Sequence, residues 1–560
     1  MGGEARLMRV ADAIVGVLES LGVRFIFGIP GSQTCPLYDA LYDSSIRHVL
    51  TRHEEAAAYM ADAFAKVTGK LGVCDGTGGP GATNLLTGIA TAYTDSTPVL
   101  AMTGQQPIEN LGKGAFQELD HLELFRPIVK WNAQIRRAEE AKVLVLEAFQ
   151  RSLSGRPGPV HLDLPLNVQQ EFIEDAKILP ADAFRMPEPS KPEDRSIESA
   201  ALLLAGSEKP LMILGGGAHY SPSEASKEAI ALAEYLAMPV VTTFNGRGAF
   251  PEDHPLSAGR MGVHAREYTD ATIAEADLIL AVGCRFAELS TRHWKSPPIG
   301  ARLIHVNLDA KELGKCYHVE QGIVGDAKET LRRLLEALRS LLPPRSLEGS
   351  PWAQALLKRK KSWYEKNGPI MGSDATPLKP QRICHEIRRF FGRSTIFTMD
   401  AGNNKMWAST FLEIYEPRTW IQSGGFGPMG YALPAAIASK LAKPEADVVA
   451  LCGDGGFSMT MCELSTAIQH NAPVIVCILN DGALGTIRHR QIFSYGGRVL
   501  STSLRNPDFV RLAESFGWHG ERVERPGEIL EALKNAKKSV SEGVPALIDF
   551  LIDGNEPLPP

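Results

Sequence analysis

Two wholly apolar runs late in the chain, Val448–Cys452 and Val474–Leu479, each break off at residues that cannot continue a strand. The first enters Gly453-Asp454-Gly455-Gly456 and the second Asn480-Asp481-Gly482, with a helical stretch through Leu464 and Ile468 between them. A run that is apolar at every position suits a strand buried on both faces, and two such strands joined by a helix make a parallel βαβ unit. Both strands deliver oxygen-bearing residues to the carboxyl edge, where ligands of parallel sheets bind. Asp454 and Asp481, with a backbone carbonyl and waters, make the all-oxygen octahedral set that Mg2+ takes. Gly455 and Gly456 leave backbone N–H groups open to a phosphate at the helix start. Mg2+ shares its shell with phosphate oxygens, so the pattern points to a diphosphate. Gly-Asp-Gly alone reads equally as a tight turn with an Asx bond, and the second Asp after another buried strand tells against that.

The same alternation runs through the whole chain. Val23–Gly28 predicts a strand ending at glycine, 54–70 a helix, 71–74 a strand, 76–81 a loop, 83–92 a helix and 99–102 a strand. Pro- and charge-rich stretches at 180–194 and 342–352 read as linkers. Between them lie three α/β segments, expected as doubly wound parallel-sheet domains over residues 1–182, 190–345 and 365–556. A chain of 560 residues is too long for one core, which rarely exceeds ~300 residues. Its formal charge of −6 argues against a nucleic-acid partner. The basic run Lys358–Lys361 reads as a solvated helix face. The eight cysteines form no C-x-x-C pair, so neither a zinc ribbon nor a disulfide scaffold is expected. No signal-peptide core and no apolar stretch of ~18 residues is seen, so a cytoplasmic chain without a membrane span is expected.

Gly453-Asp454-Gly455 followed by Asn480-Asp481 resembles the thiamine diphosphate motif of the 2-oxoacid decarboxylase and acetohydroxyacid synthase superfamily. The resemblance covers essentially the whole chain. It implies thiamine diphosphate and Mg2+ as cofactors, with Asp454, Asp481 and the Ala483 carbonyl as metal ligands. Asp481 stands where the family usually has a second asparagine, and Asn480 is the alternative ligand. Thr51-Arg52-His53-Glu54 is similar to the family's Arg-His-Glu segment, which makes Glu54 the carboxyl group bonded to the aminopyrimidine ring. There it promotes loss of the thiazolium C2 proton, help typically worth ~10²–10⁴-fold. Read without the family, Glu54 is a helix-start carboxylate favoured by the macrodipole. Gly76–Asn84 resembles the Gly-Gly-Pro-Gly loop beside that glutamate. Gly28-Ile29-Pro30-Gly31-Ser32 resembles a loop lying against the pyrimidine or substrate, so Pro30 and Gly31 are assigned there. In Ser423–Gly430 the likeness makes Met429 the apolar wedge between the cofactor rings and Gly427 a backbone contact. Gly402, Asn403 and Asn404 stand where the family often has Gly-Gln-His near the diphosphate.

Gly114–Asp120, Arg126–Lys130, Ser154–Val160 and Gly248–Pro255 are similar to the acetohydroxyacid synthase branch, which puts Phe116, Gln117 and Lys130 near the substrate. The implied activity is decarboxylation of pyruvate and carboligation to a second 2-oxoacid. Arg285-Phe286-Ala287-Glu288-Leu289 and His489-Arg490-Gln491 depart from the biosynthetic pattern, so acceptor choice is not carried over. Arg156, Gly215, Gly216, Arg285 and Asp326 map to the central nucleotide site of the flavin-bearing branch, whereas Asp481 matches flavin-free relatives. FAD therefore stays open. The family shares active sites between subunits, which implies a homodimer or homotetramer, and a regulatory subunit is compatible with the branch. The rivals are a sulfoacetaldehyde acetyltransferase, pyruvate oxidase or 2-hydroxyacyl-CoA lyase on the same scaffold, or a non-catalytic nucleotide-binding homologue.

Overall fold

The computed structural model describes residues 7–174, 190–220 and 224–559. The first expected linker lies mostly outside them. The described chain holds three six-stranded sheets whose strands all pair in parallel. Each is flanked by helices and marks one domain.

In the N-terminal sheet the spatial order is Arg47–Leu50, Phe25–Gly28, Gly72–Gly76, Val99–Gln105, Val160–Pro165, Trp131–Gln134. The C-terminal sheet repeats this order with Trp420–Gln422, Ile396–Met399, Val448–Gly453, Ile475–Asn480, Ala546–Leu551 and His519–Val523. The central sheet runs Ser257–Arg260, Val240–Thr242, Pro210–Leu214, Leu278–Val282, Leu303–Asn307, Gln321–Val324. That is the two-halved order of dinucleotide-binding sheets. A short antiparallel pair, Leu7–Arg9 with Phe172–Glu174, joins the two ends of the first domain.

The helices start and stop where local chemistry dictates. The expected helix at 54–70 is Glu54–Thr68, because Gly69 leaves helical geometry at φ +72°. The expected helix at 83–92 is longer, Pro80–Asp95, because Pro80 is preorganised for the first turn. The second expected linker is irregular only up to Ser350, whose side chain caps the helix Pro351–Met371. On that helix Lys361 is 80% exposed, but Lys360 bonds the His254 carbonyl and burial pushes its pKa down to about 8. The solvated face is thus only partly as expected.

Packing groups the chain into two compact units. The first comprises residues 1–188 with 426–444 and 460–472, and the second the remainder. In the first, the helix Ala432–Ala442 packs on Glu54–Thr68. In the second, the central and C-terminal sheets share one apolar cluster running from Ile213 and Ile279 to Phe397 and Ile548. No described helix is long and apolar enough to cross a membrane. All eight cysteines are free thiols.

Candidate active site

In the first unit the relevant loops leave the sheet where its strand order reverses, between Phe25–Gly28 and Gly72–Gly76. The backbone is packed too tightly there for side chains. A Cβ on Gly31 would lie 2.2 Å from Thr77 Oγ1, and one on Gly81 would lie 3.4 Å from Glu54 Oε1. Glu54 begins its helix, is 8% exposed, and accepts a hydrogen bond from Asn84 Nδ2 at 2.9 Å. Thr77 Oγ1 donates to Gln33 Oε1 at 2.5 Å, and Gln33 Nε2 donates to Gln117 Oε1 at 3.1 Å. Gln117 is held at φ +63°, while Phe116 beside it is 79% exposed. The structure therefore brings Gly31, the Gly76–Gly81 loop, Glu54 and Gln117 into one neighbourhood. Pro30 is exposed on the same loop.

Lys130 is spent elsewhere. Its Nζ donates to the carbonyls of Arg151 and Ser154, at 2.5 and 2.8 Å. Loss of water, with Arg156 and Arg151 nearby, lowers its pKa to about 8. Arg156 Nε donates to Ser96 Oγ at 2.8 Å. Met429 is half-buried, its carbonyl 3.5 Å from the Tyr59 hydroxyl, and Gly427 turns at φ +65°.

In the second unit the C-terminal sheet presents its own reversal point between Ile396–Met399 and Val448–Gly453. Asp454 opens a helix directly after its strand, and Asp481 follows the neighbouring one. The two carboxyl groups are close enough for the charge of Asp481 to act on Asp454. Burial, opposed by Asn506 and reinforced by Asp481, raises the Asp454 pKa to about 6. Burial raises Asp481 as well, against the charge of Arg488, whose guanidinium sits 3.2 Å away. Two adjacent buried carboxylates with too little positive charge between them fit a divalent cation. Among the described residues no cluster of three His, Cys, Asp or Glu does so, which leaves this pair as an acidic half-shell to be completed by neutral oxygens.

Asn480 is occupied: its Nδ2 donates to Asp549 at 2.9 Å and its Oδ1 accepts from Gly482 N at 3.2 Å. Ala483 N bonds the Asp481 carboxylate. Gly456 has no room for a side chain, since a Cβ would lie 2.8 Å from Asp400 Oδ1. Gly402 turns at φ +121°. Asn403 Oδ1 accepts from Thr486 Oγ1 at 2.7 Å, and Asn404 Nδ2 donates to the Leu451 carbonyl at 3.1 Å.

Residues 8–124, 197–334 and 400–550 match, in that order, the N-terminal TPP binding domain, the central domain and the C-terminal TPP binding domain of thiamine pyrophosphate enzymes. Over 99% of its length the chain is 43% identical to the "Probable acetolactate synthase large subunit" of Methanocaldococcus jannaschii, covering 93% of that protein. The chain belongs to the acetolactate synthase large-subunit family of thiamine pyrophosphate enzymes. The "Acetolactate synthase large subunit" of Corynebacterium glutamicum is 39% identical over 97% of this chain and 87% of its own length. That of Buchnera aphidicola is 36% identical over 98% and 95%.

Family membership makes the chain a thiamine-diphosphate-dependent enzyme and gives Asn84, Asn506 and Arg488 a context that sequence reasoning missed. Asn506 Nδ2 donates to Asp454 Oδ2 at 2.6 Å and reaches across a long loop to do so. Asn84 lies in the second turn of the helix that follows the glycine loop, 30 residues from Glu54. Arg488 lies on the helix Gly485–Ser494 and folds back on Asp481, which precedes that helix.

On the central sheet, Gly215 follows the first strand so closely that a Cβ would lie 2.1 Å from the Gly283 carbonyl oxygen. Four residues on, His219 is fully buried, and burial drives its pKa down to about 3. Asp326 caps the helix Ala327–Leu341 by accepting from Glu329 N at 3.0 Å.

Proposed function

We propose that this chain joins pyruvate, after decarboxylation, to a second 2-oxoacid, as an acetolactate synthase. The observation that carries the reading is the facing Asp454–Asp481 pair at the ends of two adjacent parallel strands. It occurs in a chain that matches thiamine pyrophosphate enzymes in all three domains.

Asp454, Asp481 and the Ala483 carbonyl would hold Mg2+, and the backbone at Gly455, Gly456 and Gly402 with Asn403 and Asn404 would face the diphosphate. Gly427 and Met429 would contact the aminopyrimidine and thiazolium rings. Bound thiamine diphosphate supplies a carbon nucleophile and an electron sink for decarboxylation. Glu54 holds the proton exchanged at the aminopyrimidine, and Asn84 fixes the carboxyl group in orientation. Pro30, Gly31, Phe116 and Gln117 line the substrate side, the exposed Phe116 ring excluding water when substrate is bound. Lys130, whose ammonium group is bonded to the Arg151 and Ser154 carbonyls, is given no part on the substrate side. For the central domain the reading is a flavin nucleotide at the carboxyl edge bearing Gly215, Gly216, Arg285 and Asp326.

The reading extends to domains at 1–182, 190–345 and 365–556, a homodimer or homotetramer with shared sites, a separate regulatory subunit, and a cytoplasmic location. The test is a product assay. Purified chain is given pyruvate, thiamine diphosphate and Mg2+, with and without flavin and phosphate, and products are resolved by NMR. Acetolactate is expected. Acetaldehyde, acetyl phosphate or no turnover would refute the carboligase reading, and a purified chain with no flavin absorbance and no flavin dependence would refute the central site.

A further inference from the structure

We propose that His121 and Asp163 form a positioning dyad that locks the Gly78-Gly79 turn against Gln117 and so sets the substrate side of the pocket beside Glu54. The inference rests on the active-site reading just given.

His121 opens the short helix His121–Phe125 and is 1% exposed. Its Nδ1 lies 2.7 Å from Asp163 Oδ1, and its Nε2 accepts the Gly79 N–H at 3.1 Å. A ring that accepts at Nε2 carries its proton on Nδ1 and gives that hydrogen bond to the carboxylate. Asp163, fully buried on Val160–Pro165, also accepts from Thr103 Oγ1 at 2.8 Å and Gln134 Nε2 at 2.7 Å. Burial works to raise its pKa, but its hydrogen bonds, that from His121 foremost, offset this and hold it below the usual carboxylate range. The carboxylate is thus ionised and orients the imidazole from behind.

A buried carboxylate costs more than an apolar residue of the same size, so its placement calls for a return beyond stability. That return is visible at the other end of the chain of bonds. Gly79 sits at φ +62°, and a Cβ on it would lie 2.8 Å from the Gln117 carbonyl oxygen. The Gly79 N–H faces inward with His121 as its acceptor. Two residues earlier, Thr77 reaches Gln117 through Gln33. Five residues later, Asn84 holds Glu54. The glycine turn is therefore the shared mount of Gln117 and of the Asn84–Glu54 pair, and His121 is the side chain that fixes its height.

Two near-isosteric variants separate this role from a purely structural one. In His121→Asn the amide stands where Nδ1 was, so Asp163 keeps a donor while Gly79 loses its acceptor. In His121→Gln the amide oxygen stands where Nε2 was, so Gly79 keeps its acceptor. The dyad predicts that His121→Asn raises KM for pyruvate roughly 5- to 100-fold, the range for a buried donor left unsatisfied. Thiamine diphosphate affinity, read by fluorescence quenching, should change by less than about threefold, and His121→Gln should recover most of the loss. The reverse order, with His121→Asn the better variant, or equal effects on KM and cofactor affinity, would overturn it. Hydrogen exchange of the intact chain gives a readout that needs no turnover: peptides covering 77–80 and 112–120 should exchange faster in His121→Asn only. Unchanged exchange there refutes the dyad even if acetolactate is made. Absence of acetolactate from the unmodified chain, with faster exchange in the variant, refutes the activity and leaves the dyad standing.

Discussion

Lys66 offers the sharpest physical test of the first unit. It lies near the end of the helix that Glu54 begins, is 1% exposed, and its ammonium group sits 2.8 Å from Asp62 Oδ2 and 2.7 Å from Asp95 Oδ2. The Tyr431 hydroxyl donates to Asp62 at 2.5 Å. Both carboxylates are wholly buried, so replacing Lys66 by methionine keeps the volume but removes the ammonium group that both of them face. Breaking a buried pair by removing one partner costs about 3–5 kcal/mol.

The cost carries a pH signature. Burial already raises the Asp62 pKa with Lys66 present, and loss of the ammonium pushes it further up. An acid whose folded-state pKa is raised binds protons more tightly when folded. Its contribution is fully present below the unfolded value near ~3.9 and is lost as pH rises through the folded one, at about 1.4 kcal/mol per pH unit per group. The deficit of Lys66→Met should therefore be small near pH 5 and largest near pH 8. Urea unfolding followed by circular dichroism at both values measures it. The triple variant Lys66→Met, Asp62→Asn, Asp95→Asn removes the stranded charge and should recover most of the loss. A deficit below about 1 kcal/mol at pH 8, or one that does not depend on pH, would refute the argument.

Glu54→Gln should retain thiamine diphosphate binding and lose ~10²–10⁴-fold in turnover; undiminished activity removes Glu54 from the mechanism. Asp454→Asn halves the acidic pair, and titration calorimetry should show Mg2+-dependent cofactor binding weakened at least tenfold, about 1.4 kcal/mol, where an unchanged isotherm would exclude Asp454 as a ligand. Gly79→Ala forces a Cβ to 2.8 Å from a backbone oxygen at φ +62°, so activity should fall sharply; a fully active variant would show that the turn is freer than its packing. His161, stacked on Phe125 with centroids 4.1 Å apart, has its pKa driven to about 3 by burial. Its neutral form belongs to the fold, so stability should fall by about 1.4 kcal/mol per pH unit from ~6.5 downward, and His161→Gln should show a shallower acid slope in thermal melts.

The parallel α/β class and the two carboxylates at Asp454 and Asp481 are readable along the chain because they are written in contiguous runs. Fully apolar strands announce burial on both faces, and a strand's end is marked by the residue that stops it. Helix ends read less well: the early start at Pro80 is set by proline's fixed φ in a loop that reads as continuous with its glycines. Lys130 shows the limit of assignment by position, since the hydrogen bonds of its ammonium group go to two carbonyls supplied by the 151–154 turn.

What the sequence determined by itself is the local chemistry: which runs are buried strands, where glycines free the backbone, and which oxygens stand at strand ends. Tertiary structure alone decided the rest. The first and last sheets share one strand order although no repeat is visible between their sequences, because hydrogen-bonded topology constrains backbone and burial rather than residue identity. Asn506 on Asp454, Asn84 on Glu54, and the His121–Asp163 dyad under Gly79 join residues 52, 30 and 42 positions apart. No local spacing encodes such pairs. They exist because burial cuts each polar group off from water and leaves it only the few partners within reach, and only the folded chain decides which those are.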